Sequence, residues 1–344
     1  MYIMKKLILL TAILAVVVGG LTACGPKEEG KSGKPKFSFV TNMPASFWVI
    51  AQKGVEKAGE DFDVETSYHM PTGNAAGQKR VLEDLLTRGV DGIAVSVSDP
   101  ANQTDILDKI AKRTKLITVD ADAPDSERLV YVGVDNYTAG RLCGQLVKKA
   151  LPEGGKLMVF VGSVDQDNGR RRRQGVIDEL VGRDSDLNRF DPIDEGVKGN
   201  GYEILGTLTD QGDPGRAKTN AEDTLSRHPD IACMVGLFAY NPPAILEALS
   251  QAGKLNQVKI VAFDEDNDTL QGIIDGTVAG TIVQNPYEYG YKSIEVLVAL
   301  HKGDTSMIPE NKFIDIPART IVKDNVVAFW DDLKTKTGAA EAGE

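Results

Sequence analysis

Residues 92–120 read GIAVSVSDPANQTDILDKIAKRTKLITVD, and this stretch decides the fold. The apolar run Gly92-Ile-Ala-Val-Ser96 leads through a polar loop to an amphipathic segment at 104–113, and a second apolar run follows at 115–120. Strand, helix and strand in this order are typical of a parallel βαβ unit, because two parallel strands need a long crossover between them. The stretch therefore predicts an α/β fold built on a parallel sheet.

The same alternation continues on both sides of this unit. Strands are predicted at 37–40, 64–69, 92–96, 115–120 and 130–133, and then, after a glycine-rich turn, at 156–161, 202–209, 231–237 and 258–263. Helices are predicted at 49–61, 75–88, 104–113, 136–150, 170–182, 216–227 and 242–253. The roughly 310 residues behind the N-terminal segment are enough for two cores. The expected architecture is two similar Rossmann-like lobes with parallel sheets.

The N-terminal segment predicts export. Lys5 and Lys6 precede an apolar stretch at 7–18, and small residues lead to Cys24. A positive start, a short apolar core and a small-residue site describe a secretory signal. The run Leu21-Thr-Ala-Cys-Gly25 resembles a lipobox, the motif of bacterial lipoproteins, which implies cleavage before Cys24 and acylation of its thiol. An exported lipoprotein, periplasmic or on the cell surface and held at a membrane by Cys24, is expected.

Two alternatives to the lipoprotein signal are an uncleaved transmembrane helix and a plain secretory signal with a chance cysteine. The apolar stretch is shorter than the ~20 residues that a comfortable span requires. Residues 1–23 are therefore taken as the signal peptide.

Residues 24–36 are polar and rich in glycine and lysine, which predicts a lipidated tether. Gly25 to Ser32 matches the literal GxxxxGKS phosphate-loop pattern, but that loop needs a strand before it and a helix after it. Neither is predicted here, so we expect no nucleotide site and no cofactor. At the other end of the chain, residues 336–344 are expected to form a disordered tail.

Charge and cysteine content exclude several classes of protein. The formal net charge is −11, and about −13 without Lys5 and Lys6, so nucleic acid is not an expected partner. Behind Cys24 only Cys143 and Cys233 remain, which is too few for a disulfide-built domain, although a single bridge is possible. The three histidines lie far apart without a neighbour at ligand spacing, so no metal site is predicted.

Polar and aromatic residues collect where the predicted strands end. Ligands of open parallel sheets bind beyond the carboxyl ends of the strands. The groups are Thr41-Asn42 with Phe47-Trp48, Ser96 with Asp99, Asp120, the segment 165–172, Phe238 with Asn241, and Phe263-Asp264. Each residue alone could cap a helix or fill a core. Six groups in both halves favour a binding site between the lobes.

These residues carry a resemblance to a known family. From Phe37 to about Trp330 the chain resembles the ribose-binding-protein branch of the periplasmic substrate-binding proteins of ABC sugar transporters. The matching stretches are Val40-Thr-Asn42 with Phe47-Trp48 and Gly54, Ile117-Thr-Val-Asp120, Val134-Asp-Asn136 with Gly140, Arg172 with Gly175, His228-Pro-Asp230, Asn241, Val261-Ala-Phe-Asp264, and Val283-Gln284 with Gly290. The order and spacing of these pieces make the resemblance specific.

The resemblance implies a set of sugar ligands. Phe47 and Trp48 would pack on the sugar ring, and Asp120, Asp264 and Arg172 would bind its hydroxyls through charge-assisted hydrogen bonds. The remaining substrate-binding residues on this basis are Asn42, Ser96, Asn241 and Gln284.

Two positions leave alternatives open, and two others depart from the family pattern. Arg172 could belong to a solvated run at 170–173, with Arg170 as the ligand instead. Asn241, followed by two prolines, also has the pattern of a helix cap. The family often has a basic residue after Asp120 and an amide at the preceding strand end, where this chain has Ala121 and Ser96. The departures leave the identity of the sugar open.

The family's topology implies a hinge that the chain crosses three times. The N-terminal lobe would comprise 37–134 plus 285–317, and the C-terminal lobe 135–284 plus 318–335. A sugar in the cleft between them would favour the closed form, which would dock on an ABC permease in the membrane. The protein is expected to act as a monomer.

Other functions are weighed against this one. No nucleophile–base motif supports an enzyme, and a lipid anchor stands where a sugar-responsive repressor would carry its DNA-binding module. The remaining alternative is a sugar-sensing protein that presents its closed form to a membrane receptor or kinase.

Overall fold

A computed structural model describes residues 33–72 and 74–338 of the chain. The predicted signal peptide, Cys24 and most of the predicted tether lie outside the described residues, as do residues 339–344 of the predicted tail. Lys336 and Thr337, assigned to the tail from the sequence, belong to the last helix. Within the described residues, no helix is both long enough and apolar enough to cross a membrane.

Strands and helices alternate along the chain. The strands are β1 (Lys36–Val40), β2 (Glu65–His69), β3 (Gly92–Val95), β4 (Lys115–Val119), β5 (Tyr131–Gly133), β6 (Gly155–Val161), β7 (Val197–Gly199), β8 (Tyr202–Thr209), β9 (Cys233–Gly236), β10 (Lys259–Phe263), β11 (Gly280–Val283), β12 (Phe313–Asp315) and β13 (Arg319–Ile321). The helices are α1 (Ser46–Asp61), α2 (Asn74–Arg88), α3 (Pro100–Ala111), α4 (Asn136–Ala150), α5 (Asp167–Val181), α6 (Pro214–Arg227), α7 (Asn241–Gln251), α8 (Asn267–Asp275), α9 (Pro286–His301) and α10 (Val326–Thr337).

The first sheet has the strand order β12-β5-β4-β3-β1-β2, and every neighbouring pair in it is parallel. All four residues of β3 are buried, as expected for a parallel strand with helices on both faces. One face packs on α1 and α9 through a cluster that includes Phe39 and Leu297. The other packs on α2 and α3 through Leu82 and Ile106.

The second sheet has the order β13-β11-β10-β9-β6-β8-β7. Its inner pairs are parallel, whereas the edge strands β13 and β7 run antiparallel to their neighbours. One apolar cluster on this sheet includes Cys143 of α4 and Val176 of α5, and a second includes Ile245 and Phe329 on the opposite face. The mostly parallel two-lobed α/β fold predicted from the sequence is confirmed.

Within the described residues the chain passes between the two sheets three times. It leaves the first sheet after β5, returns after β11 through α9, and leaves again between β12 and β13. Three connections at one side of two facing sheets are the geometry of a hinge. The exact lobe boundaries given above remain a prediction.

The sequence placed several helix starts too late. Helix α3 begins at Pro100, four residues before the predicted start, because the Asp99 side chain accepts a hydrogen bond from the Asn102 N–H and caps the helix. Helix α5 begins at Asp167 rather than at 170. These first turns carry polar residues, which the apolar pattern could not register. Cys143 and Cys233, whose pairing the sequence left open, are both buried free thiols.

Candidate functional site

A cavity lies between the carboxyl ends of the two sheets. The empty space, counted together with the open solvent at its mouth, is about 350 Å³. Loops after β1 and β4 contribute from the first sheet, and loops after β9, β10 and β11 from the second. The lining residues are Asn42, Met43, Ala45, Phe47, Trp48, Asp120, Asn168, Arg172, Phe238, Ala239, Tyr240, Asp264 and Gln284.

The centre of the cavity is a guanidinium between two carboxylates. Arg172 Nη2 lies 3.4 Å from Asp120 Oδ1, and Arg172 Nη1 lies 3.6 Å from Asp264 Oδ2. The Arg172 guanidinium carbon also lies 4.3 Å from the ring centroid of Phe263, at cation–π distance. Arg172 is only 1% exposed, so the guanidinium and both carboxylates interact in a weakly screened environment.

Two close-packed helices hold Arg172 in place. A Cβ on Gly140 of α4 would lie 2.1 Å from the Arg172 carbonyl oxygen, and a Cβ on Gly175 of α5 would lie 2.2 Å from the Tyr137 carbonyl oxygen. Only glycine permits this approach at both positions. Arg172 Nε then donates to Asn136 Oδ1 at 2.9 Å, which fixes the guanidinium plane. The two glycines noted in the sequence thus allow the close helix packing that positions Arg172.

Burial raises the pKa of both carboxyl groups. The pKa of Asp120 rises from its ordinary value of 3.8 to about 6, because desolvation outweighs the attraction of Arg172. Burial raises the pKa of Asp264 as well, while Arg172 and Gln284 act to lower it. Two acids beside one guanidinium leave the pocket with excess negative charge when both are ionised.

Aromatic rings form one wall of the cavity. Phe47 and Trp48 lie in the first turn of α1 in an edge-to-face arrangement, with centroids 4.9 Å apart and an interplanar angle of 88°. The Trp48 Nε1–H donates to Asn42 Oδ1 at 3.0 Å, which fixes the indole against the amide. Phe238 contributes a ring from the other lobe. Such surfaces suit the apolar C–H faces of a ligand.

Comparison with known proteins identifies the family. Residues 38–305 match the family model described as a periplasmic binding protein domain. The chain belongs to the periplasmic binding protein family. The resemblance stated from the sequence is therefore confirmed, and membership implies a location outside the cytoplasm.

Curated relatives of this binding protein cover most of its length. It is 26% identical to the ribose import binding protein of Salmonella typhimurium over 259 residues, 74% of this chain and 79% of that protein. It is also 26% identical to the fructose import binding protein of Bifidobacterium longum, covering 92% of this chain and 94% of that protein. These relatives are named as binding proteins, in agreement with the prediction that the chain is not an enzyme.

A solved structure agrees with the fold. The solute-binding protein of an ABC transporter from Burkholderia graminis, crystallised with D-arabinose, matches with a TM-score of 0.77 at 26% identity. The match covers 86% of this chain and 97% of that one.

Seven of the nine residues expected to bind substrate in this binding protein line the cavity. They are Asn42, Phe47, Trp48, Asp120, Arg172, Asp264 and Gln284. Gln284 donates from Nε2 to Asp264 Oδ1 at 2.7 Å and accepts from the Tyr289 hydroxyl at 3.0 Å. The amide is therefore held at the edge of the charged centre, beside the second crossing of the chain.

Ser96 and Asn241 lie behind the cavity lining. Ser96 Oγ donates to Asp120 Oδ2 at 3.2 Å. Asn241 Nδ2 donates to Asp210 Oδ2 at 2.8 Å, and Asn241 Oδ1 accepts from the Phe238 N–H at 3.0 Å. Asn241 is the first residue of α7 rather than its cap, and it holds the loop that carries Phe238.

Two polar lining residues were not singled out from the sequence. Asn168 Nδ2 donates to Asp120 Oδ2 at 2.9 Å, and the Tyr240 hydroxyl donates to Asp210. Asn168 lies four residues before Arg172 on α5, so the two share a helix face. This four-residue spacing, within the segment 165–172 noted above, was the sequence signal that could have identified Asn168. Among the described residues, no cluster of potential metal ligands occurs, at this site or elsewhere.

Proposed function

We propose that this chain is the lipid-anchored sugar-binding component of an ABC importer. It captures a monosaccharide in the cleft between its lobes and delivers it to a membrane permease. The observation that carries the proposal is the buried cavity in which Arg172 lies between Asp120 and Asp264, beside the rings of Phe47 and Trp48. The relatives named for ribose and fructose import, and the neighbour crystallised with D-arabinose, support sugar as the ligand class.

The polar groups of the cavity suit a neutral polyol. Ionised carboxylates accept hydrogen bonds from hydroxyl groups, the guanidinium donates to hydroxyl oxygens, and both kinds of bond are charge-assisted. A sugar acid or phosphosugar would bring a further negative charge beside Asp120 and Asp264, which Arg172 alone cannot balance. We therefore expect a neutral sugar rather than a uronate or a sugar phosphate.

The arrangement of the cavity supports a single sugar ring. Its charged groups lie around one centre, at Arg172. Aromatic rings beside that centre cover the apolar face of a ring while the hydroxyl edge meets charge. One pyranose or furanose uses both kinds of surface at once.

Closure of the lobes links binding to delivery. Asp120 follows β4 of the first lobe, whereas Arg172 lies on α5 and Asp264 follows β10 of the second lobe, so a ligand at this centre contacts both lobes. A ligand shifts the hinge only by its greater affinity for the closed state. In the proposed mechanism, the lobes 37–134 plus 285–317 and 135–284 plus 318–335 close on the sugar, and the closed monomer docks on the permease.

The proposed membrane anchor is the acylated Cys24. Its support is the signal-like segment before it and the polar stretch behind it. Growth with a radiolabelled fatty acid should label the wild-type protein and leave Cys24→Ser unlabelled. Equal labelling of both proteins would remove the anchor from the proposal without affecting sugar binding.

A thermal-shift screen tests the binding function. Residues Lys34–Glu344 form a compact unit and can be used without the N-terminal segment. The panel contains neutral pentoses, hexoses and polyols with their acids. A ligand at 100 times its dissociation constant adds about 2.7 kcal/mol to the free energy of unfolding. We expect a clear shift with a neutral sugar that is lost in Asp264→Ala. Tight binding of a uronate without a response to any neutral sugar would refute the proposal.

A further inference from the structure

A second cavity lies next to the first. Its lining comes from both lobes and is mostly polar: Asn42, Met43, Pro44, Asn74, Ala75, Ser98, Asp99, Ser163, Asp165, Gln166, Gln211 and Gly212. Asn42 and Met43 line both cavities. These two residues therefore lie where the two cavities meet, and the cavity around Arg172 is called the inner cavity.

Asn42 is held rigidly in this dividing position. Its Oδ1 accepts from Trp48 Nε1 at 3.0 Å, and its main-chain carbonyl accepts from Ser98 Oγ at 3.0 Å. Its Nδ2 donates across the cleft to Gln166 Oε1 at 3.3 Å, and both side chains are buried. The side chain cannot turn aside without breaking a buried hydrogen bond.

Gln166 occupies a position where a different residue would serve the helix better. It is the N-cap residue of α5, yet its side chain makes no capping hydrogen bond. Ser, Thr, Asp and Asn are preferred at that position because their shorter side chains reach the helix N–H groups. The longer Gln166 side chain instead reaches the opposite lobe. It is 5% exposed, so its amide is committed to the contact with Asn42.

Met43 completes the division with an apolar contact. It belongs to the first lobe but packs against the apolar cluster of the second lobe. A Cβ on Gly212 would lie 3.4 Å from Met43 Sδ, so this thioether covers the loop after β8. The polar pair and the apolar contact together close the gap between the lobes.

We propose that the Asn42–Gln166 pair limits the ligand to one free sugar ring. The inference rests on the proposed function and adds to it the residue pair that limits the size of the ligand. A second ring attached to a hydroxyl that points toward Asn42 would have to pass between the two amides. It would break their hydrogen bond and leave buried amide atoms without partners. Gln166 is therefore a specificity-determining residue that excludes disaccharides from the inner cavity.

The test compares free and extended sugars on the full-length protein, purified in detergent. The probes are D-ribose, D-fructose, D-arabinose, D-xylose, D-glucose and D-galactose, with disaccharides that join a second ring to each free hydroxyl of the best of them. Calorimetry gives the ratio of dissociation constants, disaccharide to free sugar. The variant is Gln166→Ser, which shortens the side chain and supplies a preferred helix cap. Gln166→Asn is a second short variant.

Two controls distinguish the loss of the Asn42–Gln166 contact from general effects of substitution. Gln166→Glu keeps the length of the side chain and still accepts from Asn42 Nδ2, so it should keep the wild-type ratio. Gln257→Ser makes the same chemical change at an exposed position of the second lobe, away from the cleft residues. It should change neither constant.

We expect the wild-type ratio to be at least 100 for every disaccharide. In Gln166→Ser or Gln166→Asn it should fall at least tenfold for one of them, while the free sugar binds roughly three- to tenfold more weakly because the cross-cleft bond is lost. A wild-type protein that binds a disaccharide as tightly as the free sugar overturns the inference, and with it the single-ring ligand, while sugar binding itself stands. An unchanged ratio in both short variants overturns the inference alone and leaves the proposed function standing. If the wild type binds no free sugar, the proposed function fails, and this inference with it.

Discussion

Replacing Arg172 by methionine removes a positive charge that contacts both carboxylates of the cavity. Methionine fills much of the same volume, and its thioether can pack on the ring of Phe263, so the substitution leaves little empty space. What changes is the charge balance, because Asp120 and Asp264 remain buried without their cation. The result should be a loss of sugar binding and a loss of stability that depends on pH.

The magnitude follows from the carboxyl groups. With Arg172 present, the folded-state pKa of Asp120 is about 6 against an ordinary 3.8. An acid whose pKa is raised on folding costs no stability below pH 3.8, and its cost grows to about 3 kcal/mol as the pH passes 6. Without Arg172 the pKa of Asp120 and that of Asp264 rise further. The stability of the variant should therefore keep falling between pH 6 and 8, where the contribution of Asp120 to the wild type's pH dependence levels off.

Chemical denaturation at pH 5 and at pH 8 measures this effect. Breaking a buried ion pair costs roughly 3–5 kcal/mol, so we expect a loss of that size at pH 8 and a loss about 2 kcal/mol smaller at pH 5. The matched control is Arg170→Met. The Arg170 side chain is 42% exposed and pairs with Asp167 at 3.0 Å, outside the cavity. Its replacement should leave sugar affinity unchanged. Loss of binding in Arg170→Met with binding retained in Arg172→Met would refute the assignment, and a stability loss independent of pH would refute the electrostatic reasoning.

Three further predictions concern other parts of the molecule. Asp120→Asn should weaken sugar binding about 10- to 100-fold at pH 8, as expected for losing a hydrogen bond to a charged group. Wild-type affinity should fall as the pH drops below about 6, where this carboxyl takes up a proton, whereas the variant should be insensitive, and titration calorimetry across pH checks both. Sugar should change the intrinsic fluorescence through Trp48, so the signal should vanish in Trp48→Phe and persist in Trp330→Phe. Finally, burial raises the pKa of both Cys143 and Cys233, the latter to about 12, so a thiol reagent should label neither in the folded protein lacking its N-terminal segment and both in denaturant. Rapid labelling of the folded protein would contradict the described burial.

The sequence predicted the fold because its strands are short, apolar and separated by regular helices. Every residue of the run Gly92-Ile-Ala-Val is buried. Such a short apolar run is typical of a central parallel strand. The glycines that contribute to the family resemblance also have a physical explanation. Gly54 faces the Tyr287 carbonyl across α1 and α9, as Gly140 faces that of Arg172 across α4 and α5. One tightly packed helix pair in each lobe explains why glycine recurs at that spacing.

The sequence could not separate the residues that line the cavity from those behind them. Ser96 and Asn241 stand at strand ends like Asp120 and Asp264, and position along a strand does not determine which side chain points forward. The pairing of Asn241 with Asp210 joins residues 31 positions apart, and that of Asn42 with Gln166 joins residues 124 positions apart. The first contact joins two segments of one lobe, and the second depends on how the lobes meet. A periodic pattern encodes neither.

The geometry of Arg172 differs from that of a structural ion pair in the same chain, as the proposed binding role requires. Arg128 meets Asp122 with two hydrogen bonds of 2.6 Å each, the bidentate arrangement of a pair that satisfies itself. Arg172 instead lies 3.4 and 3.6 Å from its two carboxylates, beyond the roughly 2.7–2.9 Å of a tight charged pair. Asn136 fixes its guanidinium, while neither carboxylate satisfies it fully. In the proposed function, sugar hydroxyl groups that bridge guanidinium and carboxylate would improve both partners at once, so we expect part of the free energy of binding to come from completing hydrogen bonds that are long in this structure.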